Sequence, residues 1–349
     1  MRQILQSLKN GETILVESPM PQLQNGSVLI KTSKTLVSKG TEGMLVDFGK
    51  SSLLNKIKSQ PERVNQIIKK VKTDGLINTT KAVLNKLSEP LPLGYCNVGT
   101  IIDISPDVAE FKIGDRVISN GPHAEIVNVK KNLVSKIPEN VSDEAAAFTV
   151  IGAIGLQGIR LIKPNIGETV VVFGLGLIGL LSVQILRANG CNVIGVDIDE
   201  SKCKLAKKYG ATVINPINVN PVKAILSQTN NFGSDSVLIT ASSKSNDIIL
   251  QSSEMVRKKG KIVLIGVIGL EIDRSIFYEK ELSFQVSCSY GPGRYDRNYE
   301  EKGVDYPLPY VRWTEKRNFD TILNLIDNKS INIDSLISRK VDISNFNEI

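Results

Sequence analysis

Glu168–Thr169–Val170–Val171–Val172–Phe173–Gly174–Leu175–Gly176–Leu177–Ile178–Gly179 is the stretch that decides the fold. A short run of β-branched and aromatic residues ends in three glycines spaced G-x-G-x-x-G. Apolar residues at helical spacing follow, over 177–189. The pattern reads as a buried strand, a tight turn and a helix. Downstream the alternation continues. Strands are expected at 192–197, 211–214, 236–240 and 261–265, with a short helix at 201–209. Alternating strands and helices predict a doubly wound α/β unit with a parallel sheet. Upstream, 143–163 reads as helix. Before it, 13–16, 27–32, 97–105, 111–119 and 124–129 read as strands separated by turns.

The expected architecture is therefore a β-rich domain at 1–150, a doubly wound domain at 151–288 and a return segment at 289–349. The chain has 349 residues, 41 % of them hydrophobic and 23 % charged. That excludes a mainly disordered chain. No run approaches a membrane span, and the N-terminus is too polar for a signal peptide. Four scattered cysteines make neither a zinc ribbon nor a disulfide framework. A cytoplasmic location is expected.

The net charge of +7 is concentrated in residues 50–89, where nine Lys/Arg against three Asp/Glu give +6. Apolar residues there recur at helical spacing, which predicts an amphipathic helical insert broken near Pro61 and Gly75. A solvated lysine face is the plain interpretation, and a docking surface for an anion the sharper one. No aromatic residue interleaves the lysines, so nucleic acid is not expected as a partner.

The glycine turn carries specific chemistry. Gly174 makes the turn, Gly176 lets backbone approach a diphosphate, and Gly179 allows close helix–strand packing. The N–H groups around Leu177 and Ile178 then face an anion. A second strand ends at Asp197, 23 residues after Gly174. A carboxylate there suits a ribose 2′-hydroxyl and repels a 2′-phosphate, which favours NAD(H) over NADP(H). Thr240, Gly266 and Val267 end later strands at the carboxyl edge of the sheet, where the nicotinamide side of the cofactor is expected. An incidental glycine turn, with Asp197 serving only as a helix cap, is the alternative.

These motifs and several others resemble the medium-chain dehydrogenase/reductases, the alcohol dehydrogenase superfamily. Gly94–Tyr95–Cys96–Asn97–Val98–Gly99–Thr100–Ile101 resembles that family's GHE-x-x-G-x-V segment. Phe111–Lys112–Ile113–Gly114–Asp115–Arg116–Val117 resembles its GDRV turn. Gly121–Pro122–His123–Ala124–Glu125, Ser142–Asp143–Glu144–Ala145–Ala146 and the pair Asp197 and Lys202 match further segments. The resemblance implies a GroES-like catalytic domain completed by the return segment, and a Rossmann domain that binds cofactor. It also implies a dimer or tetramer. Zinc members place a cysteine at Ser38, a histidine and a glutamate at Tyr95 and Cys96, and a third ligand near Val150. The substitutions at these positions predict that the chain holds no metal.

A narrower resemblance is carried by Val37–Ser38–Lys39–Gly40–Thr41–Glu42, Ser287–Cys288–Ser289–Tyr290–Gly291–Pro292–Gly293–Arg294–Tyr295–Asp296 and Tyr310–Val311–Arg312–Trp313–Thr314–Glu315. It is similar to the first module of bacterial two-module oxidoreductases linked to surface-polysaccharide biosynthesis. In these a Gfo/Idh/MocA-type module follows. The domain is also similar to a bacteriochlorophyllide dehydrogenase. The resemblance implies a sugar-related substrate and a chain truncated after Ile349.

Without zinc, the charge on a reacting oxygen must be met by hydrogen bonds. Tyr95 and His123, the one histidine in the chain, are the first candidates. Ser38, Thr41 and Glu42 form a polar cluster expected in a cleft-facing loop. Arg294, in a rigid turn near Lys280, is a candidate for an anionic substrate group. Packing, turn capping and ion pairing are the alternatives for each. Three functions follow: an NAD(H)-dependent oxidoreductase on a sugar-related alcohol or ketone, a quinone or enone reductase, or a nucleotide-binding module without turnover.

Overall fold

The computed structural model describes residues 1–8, 10–50 and 89–348. The expected helical insert falls largely within 51–88, outside the described residues. The N-terminal unit begins with β1 (Arg2–Gln6), β2 (Thr13–Glu17) and β3 (Ser27–Thr35), followed by helix α1 (Lys39–Lys50). Then come β4 (Leu91–Pro92), β5 (Asn97–Ile104), β6 (Arg116–Ser119), β7 (Ile126–Lys130) and β8 (Val134–Lys136). Five of these strands form an antiparallel sheet in the order β7-β3-β5-β6-β8, and β2-β1-β4 form a small second sheet. Val28, Ile30, Val98 and Val117 alternate inward and are fully buried.

Helix α1 corrects the expected loop. Gly40, Gly43 and Gly49 lower its helix propensity, so the pattern at 39–50 reads as irregular in sequence. The Glu42 N–H donates to the Ser38 carbonyl at 2.9 Å. The Glu42 carboxylate in turn accepts from the Ser38 N–H at 2.7 Å. The side chain thus satisfies one of the donors that a helix start leaves open.

Two helices, α2 (Asp143–Ala146) and α3 (Thr149–Ile162), replace the single helix expected over 143–163. The second unit follows as β9 (Thr169–Phe173), α4 (Leu177–Ala188), β10 (Asn192–Val196), α5 (Glu200–Lys208), β11 (Thr212–Ile214), α6 (Pro221–Gln228), β12 (Ser234–Ile239), α7 (Asp247–Met255), β13 (Val256–Leu264), α8 (Arg274–Lys280) and β14 (Ser283–Val286). Its six strands are all parallel, in the order β11-β10-β9-β12-β13-β14. That order reverses direction at β9, which places a crevice at the carboxyl ends of β9 and β12. Val170, Val171 and Val172 are fully buried because helices cover both faces.

The chain returns through α9 (Arg297–Glu300) and α10 (Glu315–Asp327). Phe319, Ile322 and Leu323 of α10 join a hydrophobic core shared with β3, β5 and α3. Gly152 of α3 makes room for Ile322, since a Cβ there would stand 2.9 Å from its methyl. No helix among the described residues is long and apolar enough to cross a membrane.

Candidate functional site

The glycine turn folds as its spacing predicts, and each glycine has a separate reason. Gly174 has φ +98°, and a Cβ on it would lie 2.6 Å from the Ala241 amide. A Cβ on Gly179 would lie 2.0 Å from the Gly174 carbonyl oxygen. At Gly176 a Cβ would meet nothing within 4 Å. Two glycines are therefore required by packing, and the third by open space in front of the turn. Leu177 and Ile178 open α4, whose free N–H groups point toward that space.

Asp197 stands directly after β10. Its carboxylate accepts from the Leu175 N–H at 2.6 Å and the Asp199 N–H at 2.9 Å. Leu175, Gly176, Leu177 and Lys202, with Ser335 and Leu336 of the return segment, line an open pocket of about 200 Å³. Lys202 pairs with Asp199 at 3.6 Å rather than with Asp197. Thr240 follows β12, and its hydroxyl donates to the Gly174 carbonyl at 2.5 Å. Thr240 thus latches the glycine turn, a role no sequence spacing discloses. Gly266 packs on Ala241, whose carbonyl lies 1.9 Å from where a Cβ would be. Val267 bridges to Ser242 and is exposed at the sheet edge.

The β-rich unit supplies a buried polar pair. His123 Nε2 lies 2.8 Å from Glu42 Oε2, and both side chains are at most 4 % exposed. Glu42 already accepts from the Ser38 N–H through its other oxygen. An ionised carboxylate only accepts, so it selects the Nε2–H form of the ring. His123 Nδ1 is then a buried acceptor, and it has no hydrogen-bond partner among the described residues. Gly94, with φ +96°, lets the imidazole pack against its backbone; a Cβ would sit 2.6 Å from the ring. Tyr95 and Cys96 follow directly. Tyr95 is half-buried against the main core. Cys96 is fully buried, and burial, then the Glu42 charge, pushes its thiol well above the ordinary range. Ser38 is buried beside the pair. Thr41 lies in the first turn of α1. Val150 is buried in α3, next to Thr149, whose buried hydroxyl has no partner among the described residues.

Arg294 and Lys280 fall elsewhere. Arg294 pairs with Glu300 at 2.5 Å and stacks against Tyr290 and Tyr295. Tyr290 reaches the β-rich unit, where the Asn120 amide donates to its hydroxyl at 3.2 Å. Asn120 lies three residues before His123, so this cluster flanks the same loop. Lys280 donates to the carbonyls of Ser253, Glu254 and Val256, the open end of α7. It is a helix cap. Sequence patterning also passed over Glu315, which is fully buried with neither oxygen hydrogen-bonded among the described residues.

Comparison with known proteins agrees with this geometry. The family described as "Zinc-binding dehydrogenase" matches residues 178–302. D-guloside 3-dehydrogenase of Escherichia coli (strain K12) is 29% identical over 264 residues, covering 72% of this chain and 71% of that protein. Galactitol-1-phosphate dehydrogenase from Escherichia coli superimposes with a TM-score of 0.75 at 18% identity, over 100% of this chain and 95% of that one. A short chain alcohol dehydrogenase from E. coli CFT073, complexed with cofactor NADH, gives a TM-score of 0.74 at 18% identity, over 100% and 94%. With the glycine turn, the sheet order and the split β-rich unit, these matches show a chain that shares its fold with alcohol and polyol dehydrogenases and is similar in sequence to zinc-binding dehydrogenases.

Proposed function

We propose that this chain is an NAD(H)-dependent oxidoreductase that interconverts an alcohol and a ketone on a sugar-related substrate, without a catalytic zinc. The observation that carries the reading is the open space before Gly176, beside Leu175, whose N–H donates to the Asp197 carboxylate. Gly174, Gly176, Gly179 and the N–H groups of α4 would hold the diphosphate, and Asp197 would hold the adenosine ribose. Bound there, the nicotinamide cofactor supplies or accepts the hydride. A carboxylate at 197 with no nearby arginine favours NAD(H) over its 2′-phosphorylated relative.

The residues present do not fit a catalytic zinc. Ser38 and Val150 are not metal ligands of the usual kind, and burial, then the Glu42 charge, pushes the Cys96 thiol up, away from the thiolate a zinc takes. Among the described residues, no group of three His, Cys, Asp or Glu side chains is placed to hold a metal ion. The proton therefore falls to side chains. In this reading Tyr95 contacts the substrate oxygen. His123, fixed by Glu42, offers Nδ1 to the departing proton. Glu42 is a positioning residue, because it acts only through His123.

The sugar class is supported by the likeness to D-guloside 3-dehydrogenase. The polysaccharide context and a following Gfo/Idh/MocA-type module belong to the narrower resemblance, and we propose them with it. The test is steady-state kinetics on a panel of hexosides with NAD+. Tyr95→Phe and His123→Gln should each lower kcat by about 10²-fold or more, with NADH affinity unchanged. Cofactor binding without turnover on any alcohol, or variants with unchanged kcat, would overturn the catalytic assignment.

A further inference from the structure

Trp313, just before α10, is held between two arginines. The guanidinium carbon of Arg160, from α3, lies 3.5 Å from its ring centroid, and that of Arg312 lies 3.9 Å away. Two carbons that close to one centroid cannot share a face. They clamp the indole from opposite sides, about 7 Å apart. Arg160 is further fixed, donating to Asn318 Oδ1 at 2.8 Å and Thr321 Oγ1 at 3.3 Å. Arg312 is exposed.

Neither arginine forms an ion pair with an acid among the described residues, unlike Arg2, Arg116, Arg257 and Arg294. Arg160 is pushed down to about 10 by burial and then by the charge of Arg312. Two like charges are thus held together on one indole, one of them half-buried, with no acid among the described residues paired to either. Such an arrangement favours an added anion. Arginine presents planar donor pairs to phosphoryl oxygens; Arg160 uses Nε and Nη2 on Asn318 and Thr321, which leaves Nη1 and the exposed Arg312 for an anion. One phosphate reaches one guanidinium across this spacing, whereas two linked phosphates reach both past the edge of the indole.

We infer that Arg160, Trp313 and Arg312 form a binding site for a diphosphate group, separate from the glycine turn and the His123 pocket. The group belongs either to free pyrophosphate or to a nucleoside diphosphate.

Trp313 is the only tryptophan in the chain, so its emission reports on this site alone. The experiment titrates the protein with inorganic pyrophosphate, UDP and orthophosphate at constant ionic strength, following that emission. The expected result is a saturable change with pyrophosphate or UDP at lower concentration than with orthophosphate. Tighter binding of UDP than of pyrophosphate identifies a nucleotide as the source, and equal binding identifies the bare diphosphate. Arg312→Gln, at an exposed position, should weaken binding roughly tenfold or more. Circular dichroism and NADH binding should match the parent, showing that the variant is folded. A titration without saturation, the same response to potassium chloride, or unchanged affinity in Arg312→Gln would overturn the site.

Discussion

Alanine placed in turn at Gly176 and Gly179 separates folding from cofactor binding within a single turn. At Gly179 the added Cβ would stand 2.0 Å from the Gly174 oxygen and 2.9 Å from Thr240 Oγ1. The first neighbour is backbone and cannot swing away. Overpacking of this kind costs about 1–3 kcal/mol, partly offset by the better helix propensity of alanine. A net loss near 2 kcal/mol lowers Tm by roughly 4–8 °C in a domain of this size. At Gly176 the backbone has φ −66° and ψ −172°, which alanine adopts freely. No atom lies within 4 Å of its Cβ, so stability should stay within about 0.5 kcal/mol of the parent. The methyl does fill the space in front of the turn, and NADH affinity should fall about tenfold or more. Differential scanning calorimetry and NADH fluorescence titration read the two effects. The reasoning fails if Gly176→Ala binds NADH like the parent, or if both variants lose the same stability.

Glu315 is pushed up to about 9 by burial and then by Glu300, against the pull of Arg294. The native state therefore keeps a proton that the unfolded chain releases above about 4.5. Stability should fall as pH rises between these values, by at most about 1.4 kcal/mol per unit. Glu315→Gln should flatten that fall in urea titrations at pH 6, 7 and 8; parallel slopes would contradict the burial cost. Lys280→Met should cost roughly 2–3 kcal/mol by uncapping α7, with NADH affinity intact. A loss of affinity without a loss of stability would contradict the capping role. Glu42→Gln should leave KM near its parent value and lower kcat, because it alters only the tautomer and aim of His123. A change confined to KM would mean that Glu42 meets the substrate itself.

The parallel sheet was legible because β9, β10 and the C-terminal ends of β12 and β13 are short apolar runs bounded by glycine or polar turns. The glycine turn was legible because its three glycines have fixed spacing. Helix α1 was hidden by its own glycines, and it exists through the reciprocal contacts of Ser38 and Glu42. The pairing of Glu42 with His123 joins residues 81 apart in sequence, so it is visible only once α1 packs near the Gly94 turn. Thr240 was found by position at a strand end, yet its contact with the Gly174 carbonyl depends on β9 and β12 being neighbours. Arg294 was expected to face a ligand, and α9 instead brings Glu300 onto it. Local chemistry is readable from local sequence, whereas these partnerships are set by tertiary packing.

The most direct test of the central claim is titration of the purified protein with NADH and with NADPH, following nicotinamide fluorescence, with metal content measured on the same sample. The account predicts saturable NADH binding, NADPH binding at least tenfold weaker, and substoichiometric zinc. Equal or tighter NADPH binding would contradict the role given to Asp197, and one zinc per chain would contradict the ligand argument at Ser38, Tyr95 and Cys96.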